Sequence, residues 1–106
     1  MNDEGSELLK VASTDEGFAL TGEIDGHSSP LLAGVLGDVA DRHIAIDMSG
    51  VKFVDSSGLR VLIEAHQRAE EAGGSLTLVD LSEPVLRLLE LSGMNGYLRV
   101  KPIPSP

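Results

Sequence analysis

Four consecutive residues near the middle of this 106-residue chain, Asp55, Ser56, Ser57 and Gly58, set a carboxylate, two hydroxyls and a flexible backbone position side by side. They precede a stretch, Leu59 to Gly73, whose apolar residues recur at helical spacing, so the hydroxyls lie where a helix dipole favours negative charge. The chemistry open to them runs from plain capping to nucleophilic attack or acceptance of a phosphate. In capping, Ser56 or Ser57 is the N-cap and Asp55 favours the positive end of the helix. A serine hydrolase needs a base and an orienting acid, commonly with a G-x-S-x-G elbow. Ser56 lies in V-D-S-S-G, without the first glycine, and His27, His43 and His66 are the available bases. His66 falls on the apolar stripe of the helix and reads as a core or boundary histidine. No catalytic residue is expected, and the chain reads as a binder rather than an enzyme. With no H-x-x-x-H pair, no cysteine and no D-x-D-x-D-G loop, neither a metal nor a cofactor is expected.

The flanking elements must position this loop. Leu8–Ala12 and Phe18–Ile24 read as two strands of a hairpin around the turn cluster Ser13 to Gly17. Asp25-Gly26-His27 breaks the second strand, and Ser28-Ser29-Pro30 opens a helix with Leu31, Leu32, Val35, Leu36 and Val39 on one face. Gly34 and Gly37 each lower its intrinsic stability by roughly 1 kcal/mol relative to alanine, so packing must hold it. Ile44–Met48 reads as a strand covered on both faces, ended by Asp47 and Ser49-Gly50, with Val51, Phe53 and Val54 tucking the following loop against the core. In the helix after Gly58, Leu59, Leu62, Ile63 and His66 face inward, and Gly73-Gly74 stops it. Leu76 to Val79 should run parallel to the preceding strand through a right-handed crossover. Ser82-Glu83-Pro84 starts a last helix with Val85, Leu88 and Leu89 inward; Ser92-Gly93 ends it, and Leu98–Lys101 forms an edge strand. Residues 1–6 read as a disordered lead and Pro102 to Pro106 as an extended or disordered tail. The order β-β-α-β-α-β-α-β describes an α/β chain with a single mixed sheet, one domain over residues 1–106 with its core at about 7–101.

Composition narrows the partners. Hydrophobic residues make up 42% and charged residues 24%, as in soluble globular proteins, and no apolar run approaches the ~20 residues of a membrane span, so no membrane insertion is expected. The acidic start MNDEGSE is unlike a secretory signal, which makes the cytoplasm the expected location. A net charge of −9, from 17 acidic and 8 basic residues, repels phosphate backbones, and the three aromatics Phe18, Phe53 and Tyr97 provide no stacking platform. Direct nucleic-acid binding is therefore not expected; a protein partner with basic patches is.

The segments IAIDMSGVKFVDSSGL, GGSLTLVD and LLELSGM, in this order and spacing, resemble the anti-sigma-factor antagonist (STAS) family over roughly residues 7 to 101. The resemblance implies a sheet with its helices gathered mainly on one face. It implies phosphorylation of the serine directly after the aspartate, which is Ser56, leaving Ser57 as the better cap. It also implies partner switching. The unphosphorylated chain would bind an anti-sigma factor that is also a serine kinase, the phosphorylated chain would let go, and a serine phosphatase would reset it. The implied contact surface joins Asp25, Gly26 and His27 to Asp55, Ser56, Ser57, Gly58, Leu59, Arg60 and Ile63. Gly58 is expected to serve backbone shape or a partner's close approach, with no packing role. Members of the family commonly carry glycine where this chain has Arg60, which could pair with Asp55, with a phosphate, or with solvent alone. An alternative from another class is a STAS module acting as a small cytosolic subunit of a transport or other multiprotein assembly.

Overall fold

The computed structural model describes residues 8–101. The lead, residues 1–6, and the tail, Pro102 to Pro106, singled out in the sequence lie outside the described residues. The elements in order are β1 (Lys10–Thr14), β2 (Gly17–Ile24), α1 (Ser29–Gly37), β3 (His43–Val54), α2 (Ser56–Glu71), β4 (Ser75–Val79), α3 (Glu83–Ser92), a 3-10 turn (Met94–Gly96) and β5 (Arg99–Lys101). They form one five-stranded sheet in the order β1-β2-β3-β4-β5. The β1–β2 hairpin is antiparallel and every later neighbour is parallel.

This topology explains the layering. Three successive strand–helix–strand crossovers each advance by one strand in the same direction, and connections of a single hand then put all three helices on one face. Side chains alternate accordingly: Leu20, Ile24, Ile46, Met48 and Leu78 are buried beneath the helices, while Ala45, Asp47, Thr77 and Val79 on the opposite face keep part of their surface. The helices supply Leu32 and Leu36 from α1, Leu62, Ala65 and Ala69 from α2, and Val85 and Leu89 from α3. No helix among the described residues is long and apolar enough to cross a membrane.

Three local expectations are corrected. Leu31 is not part of the buried stripe of α1; it is 56% exposed. The helix is only nine residues long, and Leu32 and Leu36, one turn apart, already fill its contact with the sheet. The strand beginning near Ile44 does not end at Ser49-Gly50 but runs to Val54. Beside it β2 continues to Ile24, offering ladder partners, and register shifts between Ala19 and Thr21 and between Gly22 and Glu23 absorb the irregular stretch. Phe53, lastly, does not tuck against the core. It pairs with Glu23 in the ladder while Val54 and Ile24 point inward, so by strand alternation it faces the other way and is 49% exposed.

The extended half of β3 matters for function because it delivers Asp55. Only His43 to Asp47 pair with β4, so beyond Asp47 the β4 side of β3 has no strand beside it. The Ser82 hydroxyl at the start of α3 takes over that role by donating to the Val51 carbonyl. Ser82 is the N-cap residue of α3, but its hydroxyl ties β3 and makes no capping hydrogen bond to its own helix.

Candidate functional site

Asp55 joins β3 to α2 through three bonds. Its N–H donates to the Ile24 carbonyl (3.1 Å), its carbonyl accepts from Leu59 N–H (2.9 Å), and its Oδ1 accepts from Gly58 N–H (3.0 Å). With extended backbone angles (φ −96°, ψ −174°), it is the N-cap of α2. This corrects the assignment of the cap to Ser57. A carboxylate in that place meets both the unpaired N–H groups and the positive end of the helix, so neither serine is needed there. The consequence is chemical: Ser56 and Ser57 occupy the first two helical positions, both exposed, and neither hydroxyl has a hydrogen-bond partner among the described residues.

Gly58 is also reassigned. It is buried, and a Cβ there would lie 2.6 Å from the Ile24 carbonyl oxygen, 2.7 Å from Ile24 Cγ2 and 3.0 Å from Val54 Cγ1. Its φ is not in the left-handed region. The glycine is thus required by packing, because it lets the first turn of α2 sit directly on the ends of β2 and β3.

The turn Asp25-Gly26-His27 is a built structure in its own right. Asp25 Oδ1 accepts from His27 N–H (3.0 Å), Ser28 N–H (2.9 Å) and the Ser28 hydroxyl (3.1 Å), and Ser28 Oγ in turn accepts from Asp25 N–H (3.0 Å). These donors, first the Ser28 backbone and then its hydroxyl, hold the Asp25 carboxyl below its ordinary pKa. A Cβ added at Gly26 would stand 3.5 Å from Ser57 Oγ, so this turn abuts the serine loop. A shallow open cleft lined by Ser29, Ser56, Ser57, Arg60 and Val61 lies where the N-terminal ends of α1 and α2 meet. Ser28 and Ser29 were readable only as helix openers, although the D-x-x-S spacing of Asp25 and Ser28 is the signature of such a reciprocal turn.

A pH dependence follows with a definite sign. A carboxyl whose pKa is lowered by folding adds stability above its unfolded value, near 3.8, and loses it as pH falls through the folded value. Asp25→Ala should therefore melt below wild type at pH 7, with the gap shrinking as pH is lowered through the carboxylate range. A gap that stays constant between pH 7 and pH 3 would show that the charged state of Asp25 is irrelevant to the turn.

Of the remaining predicted contact residues, Arg60 is exposed, and Leu59 and Ile63 are half-buried against the core with part of their surface outward. Arg60 does not pair with Asp55; among the described residues it makes no ion pair or hydrogen bond. The histidines do not assemble a triad. His43 Nδ1 lies 2.9 Å from Ser75 Oγ at the other end of β3. His66 is buried, edge-on to Tyr97 at 5.2 Å, with Nδ1 unpartnered among the described residues. His27 contributes its backbone N–H to the Asp25 turn. Nor do three or more histidine, aspartate or glutamate side chains among the described residues gather to hold a metal.

The STAS domain family model matches residues 11–103. The anti-sigma F factor antagonist of Paenibacillus polymyxa is 33% identical over 79 residues, covering 71% of this chain and 68% of that protein. The anti-sigma-B factor antagonist of Bacillus subtilis (strain 168) is 32% identical over 94 residues, 87% of this chain and 86% of the relative. Among solved structures, an anti-sigma factor antagonist from Mycobacterium paratuberculosis superposes with a TM-score of 0.75 at 26% identity, covering 97% of this chain and 92% of that one. With the family model covering residues 11–103 and relatives of this identity and coverage, the chain belongs to the STAS domain family, alongside proteins named as anti-sigma-factor antagonists.

Proposed function

We propose that this protein is an anti-sigma-factor antagonist controlled by phosphorylation of Ser56. The observation that carries the reading is the division of labour at the start of α2: Asp55 performs the capping, which leaves the Ser56 hydroxyl exposed and uncommitted among the described residues on the first helical turn. A hydroxyl that capped the helix would have to break that bond before reacting.

In this scheme the unmodified chain binds an anti-sigma factor that is also a serine kinase and so frees the sigma factor. The surface used joins the Asp25-Gly26-His27 turn, the Ser56 loop and the outward edge of Leu59, Arg60 and Ile63. In the kinase, Ser56 Oγ attacks the γ-phosphorus of ATP; a new O–P bond forms, ADP departs and the hydroxyl proton is lost. The product carries about −1.5 to −2 units of added charge at the positive end of α2, where the dipole tolerates it. Release then has to come from the interface, since the fold has no reason to open. A serine phosphatase returns the chain to its binding form by hydrolysing the ester. The chain acts as substrate and binder throughout and performs no catalysis itself.

The acceptor is tested by incubating wild type, Ser56→Ala and Ser57→Ala with the anti-sigma-factor kinase and ATP and weighing the intact proteins. Wild type and Ser57→Ala are expected to gain one phosphate and Ser56→Ala none. A full phosphate on Ser56→Ala would overturn the assignment.

A further inference from the structure

We infer that Arg60 is the internal counter-charge for a phosphate on Ser56, so that phosphorylation both adds an anion to the contact surface and draws a cation back from it. The inference rests on Ser56 being the acceptor.

Three observations lead to it. Ser56 and Arg60 are four residues apart in α2, which places them one above the other on the same helix face, and both line the same open cleft. The guanidinium is exposed and uncommitted among the described residues. The other anions within reach are less well placed. Asp55 is five residues before Arg60, off its face, and its Oδ1 is occupied by Gly58 N–H. Glu64 lies one turn beyond Arg60 but makes no ion pair with it among the described residues. An arginine preceding a glutamate is also the less favourable order along a helix, whereas an anion at position 56 preceding the arginine is the favourable one. A phosphate brings up to two charges and three acceptor oxygens, to which the planar fork of a guanidinium can donate two parallel N–H groups.

Before modification Arg60 is thus available to a partner; afterwards it is held along α2 by the phosphate. An uncharged residue at this position would have no such second action.

The pairing is tested on chain synthesised with phosphoserine at position 56, so no kinase is required. The phosphate is titrated by phosphorus NMR in wild type and in Arg60→Ala, Arg60→Lys and Arg68→Ala, at low and high salt. Because a neighbouring cation favours the dianion, the second ionisation of the phosphate in wild type should lie about 0.3 pH units or more below that in Arg60→Ala. Arg60→Lys should recover part of the shift, Arg68→Ala should match wild type, and salt should narrow the gap. Coincident titrations of wild type and Arg60→Ala, with circular dichroism unchanged, would overturn the pairing whatever the kinase does. Failure of the kinase to modify Ser56 would instead overturn the acceptor assignment and leave this titration unaffected.

Discussion

Gly58→Val is expected to cost about 3 kcal/mol of stability, a fall in melting temperature on the order of 10 to 20 °C. The first added carbon would already overlap the Ile24 carbonyl and its Cγ2 methyl, and the Val54 side chain closes the third direction. Backbone carbonyls cannot step aside as a surface side chain can, so α2 would have to lift from β2 and β3. That movement would disturb the Asp55 bonds to Ile24 and Gly58 as well. Gly58→Ala should fall between the two, because it introduces the same first clash without the branched methyls. Thermal and urea unfolding measure the effect; a melting point for Gly58→Val within 2 °C of wild type would mean that the helix start is not seated as described. Partner binding should fall along with stability, in contrast to the expectation that this glycine serves backbone shape or a partner's close approach and has no packing role.

How far such features can be read from the sequence depends on whether their causes are local. Hydrophobic alternation and helical spacing located all five strands and three helices, and the parallel β3–β4 pair follows from the intervening helix alone. The end of β3 was not legible, because Ser49-Gly50 is a good turn signal that is overridden by β2 running alongside and by the hydroxyl of Ser82, 31 residues after the Val51 carbonyl it binds. The cap was ambiguous for a related reason. Aspartate and serine cap helices about equally well, so D-S-S-G contains three candidates, and the choice is fixed by where β3 stops. Asp55 wins because its N–H is already bound to Ile24 at the end of β2. Gly58 looked like a flexible loop residue since nothing in its neighbours along the chain announces Ile24 and Val54 above it. Leu31 and Phe53, apolar and yet outward, show the limit of reading apolar as buried. His66 was legible as a core or boundary residue because its position on the stripe of α2 is a property of the helix itself.

The second large effect concerns binding. Ser56→Asp should lower affinity for the anti-sigma-factor kinase at least tenfold while leaving the circular-dichroism spectrum and melting point close to wild type. The mutant carboxylate sits at the first position of α2, where the dipole favours it, so the fold gains or loses little. A partner surface shaped for a neutral hydroxyl would have to desolvate that charge, and a loss of only about 2.8 kcal/mol weakens binding roughly a hundredfold. Ser56→Ala, neutral and small, should still bind. An aspartate variant that binds as tightly as wild type would assign the switch to the bulk of the phosphate instead of its charge. A variant that loses binding and melting temperature together would assign it to unfolding.

The central claim is that a phosphate on Ser56 releases the partner without altering the fold. Titration calorimetry of the anti-sigma-factor kinase against the unmodified chain and against the chain phosphorylated on Ser56, at two salt concentrations, tests it most directly. The account predicts binding by the unmodified chain, at least a hundredfold weaker binding by the phosphorylated one, and superimposable circular-dichroism spectra for the two. Undiminished binding by the phosphorylated chain would contradict it.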